Sequence, residues 1–157
     1  MTRASGDEAH RLLYLDDLQV GQRFSTGTYA LDESQVIAFA SQFDPQPFHL
    51  DAVAARHTVF EGLVASGWHT AAITMRLLVA GGLPIAGGLV GRAGEISWPK
   101  PTRPDDILRV EREVLEITPS RSTPARGMVK VRSETRNQRG EVVQILVARL
   151  VVPRRPS

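Results

Sequence analysis

Cysteine is absent from this sequence. That excludes disulfides, thiolate nucleophiles and cysteine-based zinc sites, and it fits a reducing compartment. Long apolar runs are absent as well, and none approaches the ~20 residues of a membrane-spanning helix. Neither sign of charge is in excess: 19 Lys and Arg face 17 Asp and Glu, for a net +2. The basic residues are scattered, and aromatic residues make up only 6% of the chain. A nucleic-acid surface gathers basic residues on one face with aromatics between them, so nucleic acid is not an expected partner. Residues 1–11 include Asp7 and Glu8 and hold no apolar core. They read as a disordered tail and not as a signal peptide. The remainder, 12–153, reads as one domain, and the protein as cytoplasmic.

Histidine is also scarce, with four in the chain, so the setting of each is informative. His49 follows Asp44 by five positions in Asp44-Pro45-Gln46-Pro47-Phe48-His49-Leu50-Asp51. Pro45 and Pro47 predict a rigid loop here and not a regular helix. A rigid loop that aims a carboxylate and an imidazole at one point suits the activation of water. Turn chemistry gives both residues a plainer alternative, because Asp before Pro is common in turns.

The surrounding pattern predicts the elements that hold this loop. A strand is expected from Arg23 to Ala30. Asp32 and Gln35 form a capping-box pattern. Val36, Phe39, Ala40 and Phe43 then share one helical face up to Asp44, where Pro45 disfavours further helix. A short helical piece is expected over Asp51–His57, with Asp51 as its cap. Ser66 is a helix cap, and the run from it to Val79 carries one charge, Arg76. A helix apolar on nearly every face belongs in the middle of a fold. Gly81 and Gly82 stop it. Strands are expected over Leu89–Trp98, Asp106–Ile117, Met128–Arg136 and Glu141–Val152, with a turn at Asn137–Gly140. Three of these segments are long, and their turn signals suit an antiparallel meander.

One buried helix followed by long antiparallel strands implies an α+β fold in which a curved sheet wraps the helix, the hot-dog arrangement. An edge strand of such a sheet invites pairing with its twin, so a homodimer or higher homo-oligomer is expected.

The stretch from Phe39 to Asp51 resembles the hydratase motif of MaoC-like dehydratases, the (R)-specific enoyl-CoA hydratase family. That motif runs Gly-Asp-x-Asn-Pro-x-His, then five residues and a small one, here Ala55. Leu15–Phe24, Leu63–Gly67 and Trp98–Asp106 resemble further parts of the family, so the likeness spans about residues 12–152. Phe43 stands in place of the motif's glycine and Gln46 in place of its asparagine. Met75 occupies the position where many members carry a helix serine.

The resemblance implies an acyl-CoA hydratase or dehydratase of fatty acid metabolism, acting on a coenzyme A thioester as substrate with no cofactor. It assigns Asp44 and His49 to hold and deprotonate a water that adds to C3 of a 2-enoyl thioester. The backbone N–H of Gly67, unpaired in the first turn of the central helix, would meet the thioester oxygen; the plainer role of Gly67 is packing. Gln46, Phe48, Ser66, Trp68 and Met75 are the candidate substrate-binding residues. Arg92, Arg103 or Arg126 would meet coenzyme A. His69 is expected to be a core histidine and His57 a surface one. No histidine pair has the spacing of a metal-ligand set, so no metal is expected. A hot-dog thioesterase and a non-catalytic acyl-thioester-binding subunit are the competing functions.

Overall fold

The computed structural model describes residues 11–157; of the expected tail, residues 1–10 lie outside the described residues. Five strands form one antiparallel sheet: β1 (Arg23–Ala30), β2 (Val90–Ser97), β3 (Ile107–Pro119), β4 (Arg126–Arg136) and β5 (Val142–Pro153). Their spatial order is β1-β3-β4-β5-β2. β3, β4 and β5 form an antiparallel meander, with Arg109 opposite Arg136 and Val131 opposite Ala148. β2 does not join it on the β3 side. It crosses to the far edge and pairs with β5, from Val90↔Val151 to Ser97↔Ile145. The chain between β2 and β3 is rich in proline, which cannot supply a tight hairpin with a full ladder of hydrogen bonds.

The turn at Asn137–Gly140 forms as expected. Asn137 and Gly140 close it with backbone hydrogen bonds, and Gly140 takes a φ of +78° that a side chain would resist. Alternation on β3 and β4 puts Leu108, Val110, Val114, Val129 and Val131 on the buried face of the sheet.

Among the described residues four α-helices accompany the sheet: α1 (Glu33–Phe43), α2 (Pro47–Leu50), α3 (Ala52–Ala55) and α4 (Gly67–Gly81). Asp32 caps α1 with the full capping box, accepting from the Gln35 N–H while Gln35 returns to the Asp32 N–H. α4 buries Ile73, Thr74, Leu77 and Leu78 and packs against β1, β3 and β5. This is the α+β hot-dog arrangement.

Three local expectations need correction. Pro47 does not prevent a helix: it opens α2 as the first helical residue, where its missing N–H costs nothing and its fixed φ helps. The helical piece after Asp51 covers only Ala52–Ala55, although Asp51 does cap it by accepting from Val53 and Ala54. α4 is not enclosed on all sides. Trp68, Ala72, Met75 and Val79 fall on one face at helical spacing and are exposed, Trp68 by 60% and Val79 by 70%.

Candidate active site

Asp44 ends α1, and Pro45 makes the exit abrupt. Its backbone N–H still bonds to the Ala40 carbonyl, while its φ of −153° turns the chain out of the helix. One turn of α2 then brings His49 back toward it. The His49 Nε2 lies 3.1 Å from Asp44 Oδ2. The other ring nitrogen, Nδ1, lies 2.7 Å from the Val64 carbonyl oxygen. A carbonyl only accepts, so Nδ1 carries a proton and Nε2 is left to face the carboxylate. The ring itself is buried. Its orientation is therefore set by backbone: Val64 also bonds through its own N–H to the Phe48 carbonyl.

Asp44 is held as firmly. Ser66 donates from Oγ to Asp44 Oδ2 at 2.7 Å, and Gln46 donates from Nε2 to Oδ1 at 2.5 Å. Burial pushes the Asp44 pKa upward, but the hydrogen bonds from Ser66 and Gln46 and the nearby His49 outweigh it. The result lies below the usual carboxylate value, so the group remains ionised across the neutral range. The Ser66 hydroxyl also accepts from the Trp68 N–H at 3.2 Å and so caps α4. One side chain thus couples the start of α4 to the carboxylate.

Asp44, Phe48, His49, Gly67 and Trp68 line one cavity of about 440 Å³. Gly67 is the first residue of α4, so its N–H has no acceptor within the helix and sits at the positive end of the helix dipole. A Cβ on Gly67 would stand 2.6 Å from Cε2 of Trp98, so only glycine fits beside that indole. The packing role and an N–H free for a ligand are therefore compatible here. Asp44 Oδ2 and His49 Nε2 converge on a wall of the cavity shared with a backbone donor. That arrangement is suited to hold a water beside a carbonyl-bearing ligand.

The other candidates are placed as follows. Gln46 supports Asp44 from the loop, and Ser66, fully buried, supports it from the start of α4; neither is among the residues lining the cavity. Met75 is set apart. It lies eight residues beyond Gly67, which is about 12 Å along the helix, and lines a different cavity with Leu78, Leu89 and Arg112. Among the arginines, Arg103 approaches the site through a hydrogen bond to the Phe60 carbonyl, Phe60 being part of the cavity wall. Arg92 borders the Met75 cavity, and Arg126 pairs with Pro153 at the end of β4. His57 is exposed. His69 is buried, stacks on Phe39 with centroids 4.5 Å apart, and burial holds its pKa below the usual value. Among the described residues no His, Asp and Glu cluster has metal-binding geometry.

Trp98, Lys100 and Phe60 also line the cavity, and the sequence does not single them out as site residues. Trp98 is fixed by donation to Gln144 at 3.1 Å and an edge contact with Trp68. Gln144 lies on β5, far along the chain, so the local pattern around Trp98 holds no sign of this. The proline-flanked segment Pro99-Lys100-Pro101 is the available signal, since it is a second rigid loop at the end of a strand.

The same architecture appears in solved structures. A MaoC-like dehydratase from Rhodospirillum rubrum is 59% identical, superposes with a TM-score of 0.91, and is matched over 92% of this chain and 99% of its own. A curated relative, uncharacterized protein YdeM of Bacillus subtilis, is 33% identical over 80% of this chain and 88% of its own length. The 3-hydroxybutyryl-CoA dehydratase of Methylorubrum extorquens is 33% identical over 71% of this chain and 69% of its own length. The family described as MaoC like domain matches residues 17–137, which contain Asp44, His49, Gly67 and the whole cavity that they line. The chain belongs to the MaoC-like dehydratase family.

Proposed function

We propose that the protein adds water across the C2–C3 bond of a 2-enoyl-CoA, or in reverse removes it from a 3-hydroxyacyl-CoA. The observation that carries this reading is the approach of His49 Nε2 to Asp44 Oδ2, 3.1 Å, on the wall of a cavity that also holds Gly67.

In the hydration direction a water donates one proton toward Asp44 Oδ2 and the other toward His49 Nε2. Its oxygen attacks C3 as one of these groups takes the proton. The C2–C3 π electrons move onto the thioester, and the Gly67 N–H stabilises the enolate oxygen as charge develops there. The protonated group then returns a proton to C2. The net change is addition of H and OH, with both groups restored. Ser66 and Gln46 keep Asp44 ionised and oriented, while Phe48 and Trp68 border the bound thioester. The dehydratase name of the Methylorubrum relative supports the reaction class.

The working unit in this reading is a homodimer. The exposed stripe of Trp68, Ala72, Met75 and Val79 lies on a helix that is otherwise core, and nearly all of β2 is exposed along an edge of the sheet. A second copy would cover both. Among the described residues no helix is long and apolar enough to cross a membrane, and a cytoplasmic role in fatty acid metabolism fits the substrate class.

The test is spectroscopic. A 2-enoyl-CoA is expected to lose its conjugated absorbance without release of free CoA. Thiol detection is unobstructed because the protein has no cysteine. Free CoA appearing at the same rate would make the protein a thioesterase, and binding without turnover across a range of acyl chains would make it a binding subunit.

A further inference from the structure

Arg112 lies on β3 in phase with Val110 and Val114, so its side chain belongs to the buried face of the sheet. It is only 4% exposed. A guanidinium carries five N–H donors and prefers a carboxylate or phosphate fork. Here the polar contact of the side chain is donation from Nε to Ser133 Oγ at 3.2 Å, and Nη1 has no partner. Among the described residues no carboxylate pairs with it. Burial pushes its pKa down to about 10, which still leaves it protonated at neutral pH. A buried, unpaired cation is costly, and an apolar residue of similar volume would stabilise the fold more. Its presence calls for an anion that the chain does not supply.

Arg112 borders the cavity of about 290 Å³ that also includes Met75, Leu78, Leu89, Leu146 and Leu150. The walls are apolar and suit methylene groups, while the exposed Arg92 adds positive charge at the same cavity. Met75 shares the exposed stripe of α4 with Trp68, which lines the Asp44–His49 cavity. A chain held between that stripe and the second copy that covers it would pass from one cavity to the other over seven helical residues, about 10 Å. The bulky, highly charged diphosphate of coenzyme A is a poor match for so small and apolar a space.

We propose that Arg112 recognises a carboxylate at the far end of the acyl chain, so that the substrate is the monothioester of a dicarboxylic acid. This inference rests on the hydratase reading for the thioester and adds the class of acyl group. The apolar walls receive the chain, and the guanidinium receives the terminal carboxylate.

The experiment compares matched 2-enoyl-CoA pairs of equal chain length, one ending in methyl and the other in carboxylate. The wild-type protein is expected to favour the carboxylate member at its preferred length by about 100-fold in kcat/KM. Arg112→Met is expected to lower that ratio by a similar factor. Arg112→Lys, which keeps the charge and loses the fork, lowers it about tenfold and serves if the methionine variant does not fold. A wild-type preference for the methyl member at every length would overturn the proposal. So would an Arg112 variant that slows both members equally, since that is the signature of a packing role. A second readout is independent of turnover: a saturated dicarboxylic acyl-CoA should raise Tm more than its methyl-ended analogue, and Arg112→Met should erase the difference. That difference without any hydration would retain the Arg112 site and refute the hydratase reading. Hydration of methyl-ended substrates with no such difference would do the reverse.

Discussion

At the scale of single residues the site is built from hydrogen bonds that each serve two ends. Ser66 donates to Asp44 and accepts from the first turn of α4. The folded pKa of Asp44 is held below its unfolded value. The ionised carboxylate therefore contributes stability above that unfolded value and loses it as pH falls through the folded one. Ser66→Ala removes a donor to the charged form, so the Asp44 pKa rises toward its ordinary value. The acid limb of kcat/KM is expected to move to higher pH in this variant. Loss of the cap costs about 1 kcal/mol, which lowers Tm by roughly 2–4 °C for a chain of this size. A pH–rate profile together with a melting curve checks both; a lower Tm with an unmoved acid limb would separate Ser66 from the carboxylate.

At the scale of elements, Gly67 joins α4 to the segment that follows β2. Its packing partner Trp98 is anchored through Gln144. Gly67→Ala is expected to cost about 1–3 kcal/mol through overpacking and to lower kcat/KM as the N–H and the indole move apart. Trp98→Ala removes the ring that the new methyl group meets. In the double variant the two stability costs should be less than additive, as measured by a double-mutant cycle in denaturant. Additive costs would mean that the indole is not what requires glycine.

The same elements show what a sequence can convey. The box at Asp32 and Gln35, the stop at Asp44, the cap at Ser66 and the alternating strands are local, and the structure contains them all. Pro47 misleads because proline serves both as a helix breaker and as a first helical residue, and only the following backbone distinguishes them. Trp98 escapes a local reading because its anchor comes from another strand. Arg112 is legible in principle: Leu108, Val110, Arg112 and Val114 alternate in phase, and a charge on the apolar phase of a strand is a signal. The Asp44–His49 pairing follows from spacing and family resemblance, while the Val64 carbonyl that fixes the ring does not.

At the scale of the molecule, the exposed face of α4 and the edge strand β2 are what remains unsatisfied. Val79 is 70% exposed, so a charge there would cost an isolated chain little. In a dimer that covers the stripe, Val79→Glu buries a carboxylate and is expected to give a folded monomer. Sedimentation velocity beside circular dichroism checks this; an unchanged assembly would place the interface elsewhere. The hydratase reading depends on one water held by Asp44 and His49, and it is tested most directly by running the reaction in water enriched in heavy oxygen. The label is expected to enter at C3 of an intact 3-hydroxyacyl-CoA, and Asp44→Asn and His49→Ala are each expected to slow its entry by roughly 100- to 10,000-fold. Label appearing in a free carboxylic acid, or entering at C3 at the wild-type rate in either variant, would contradict it.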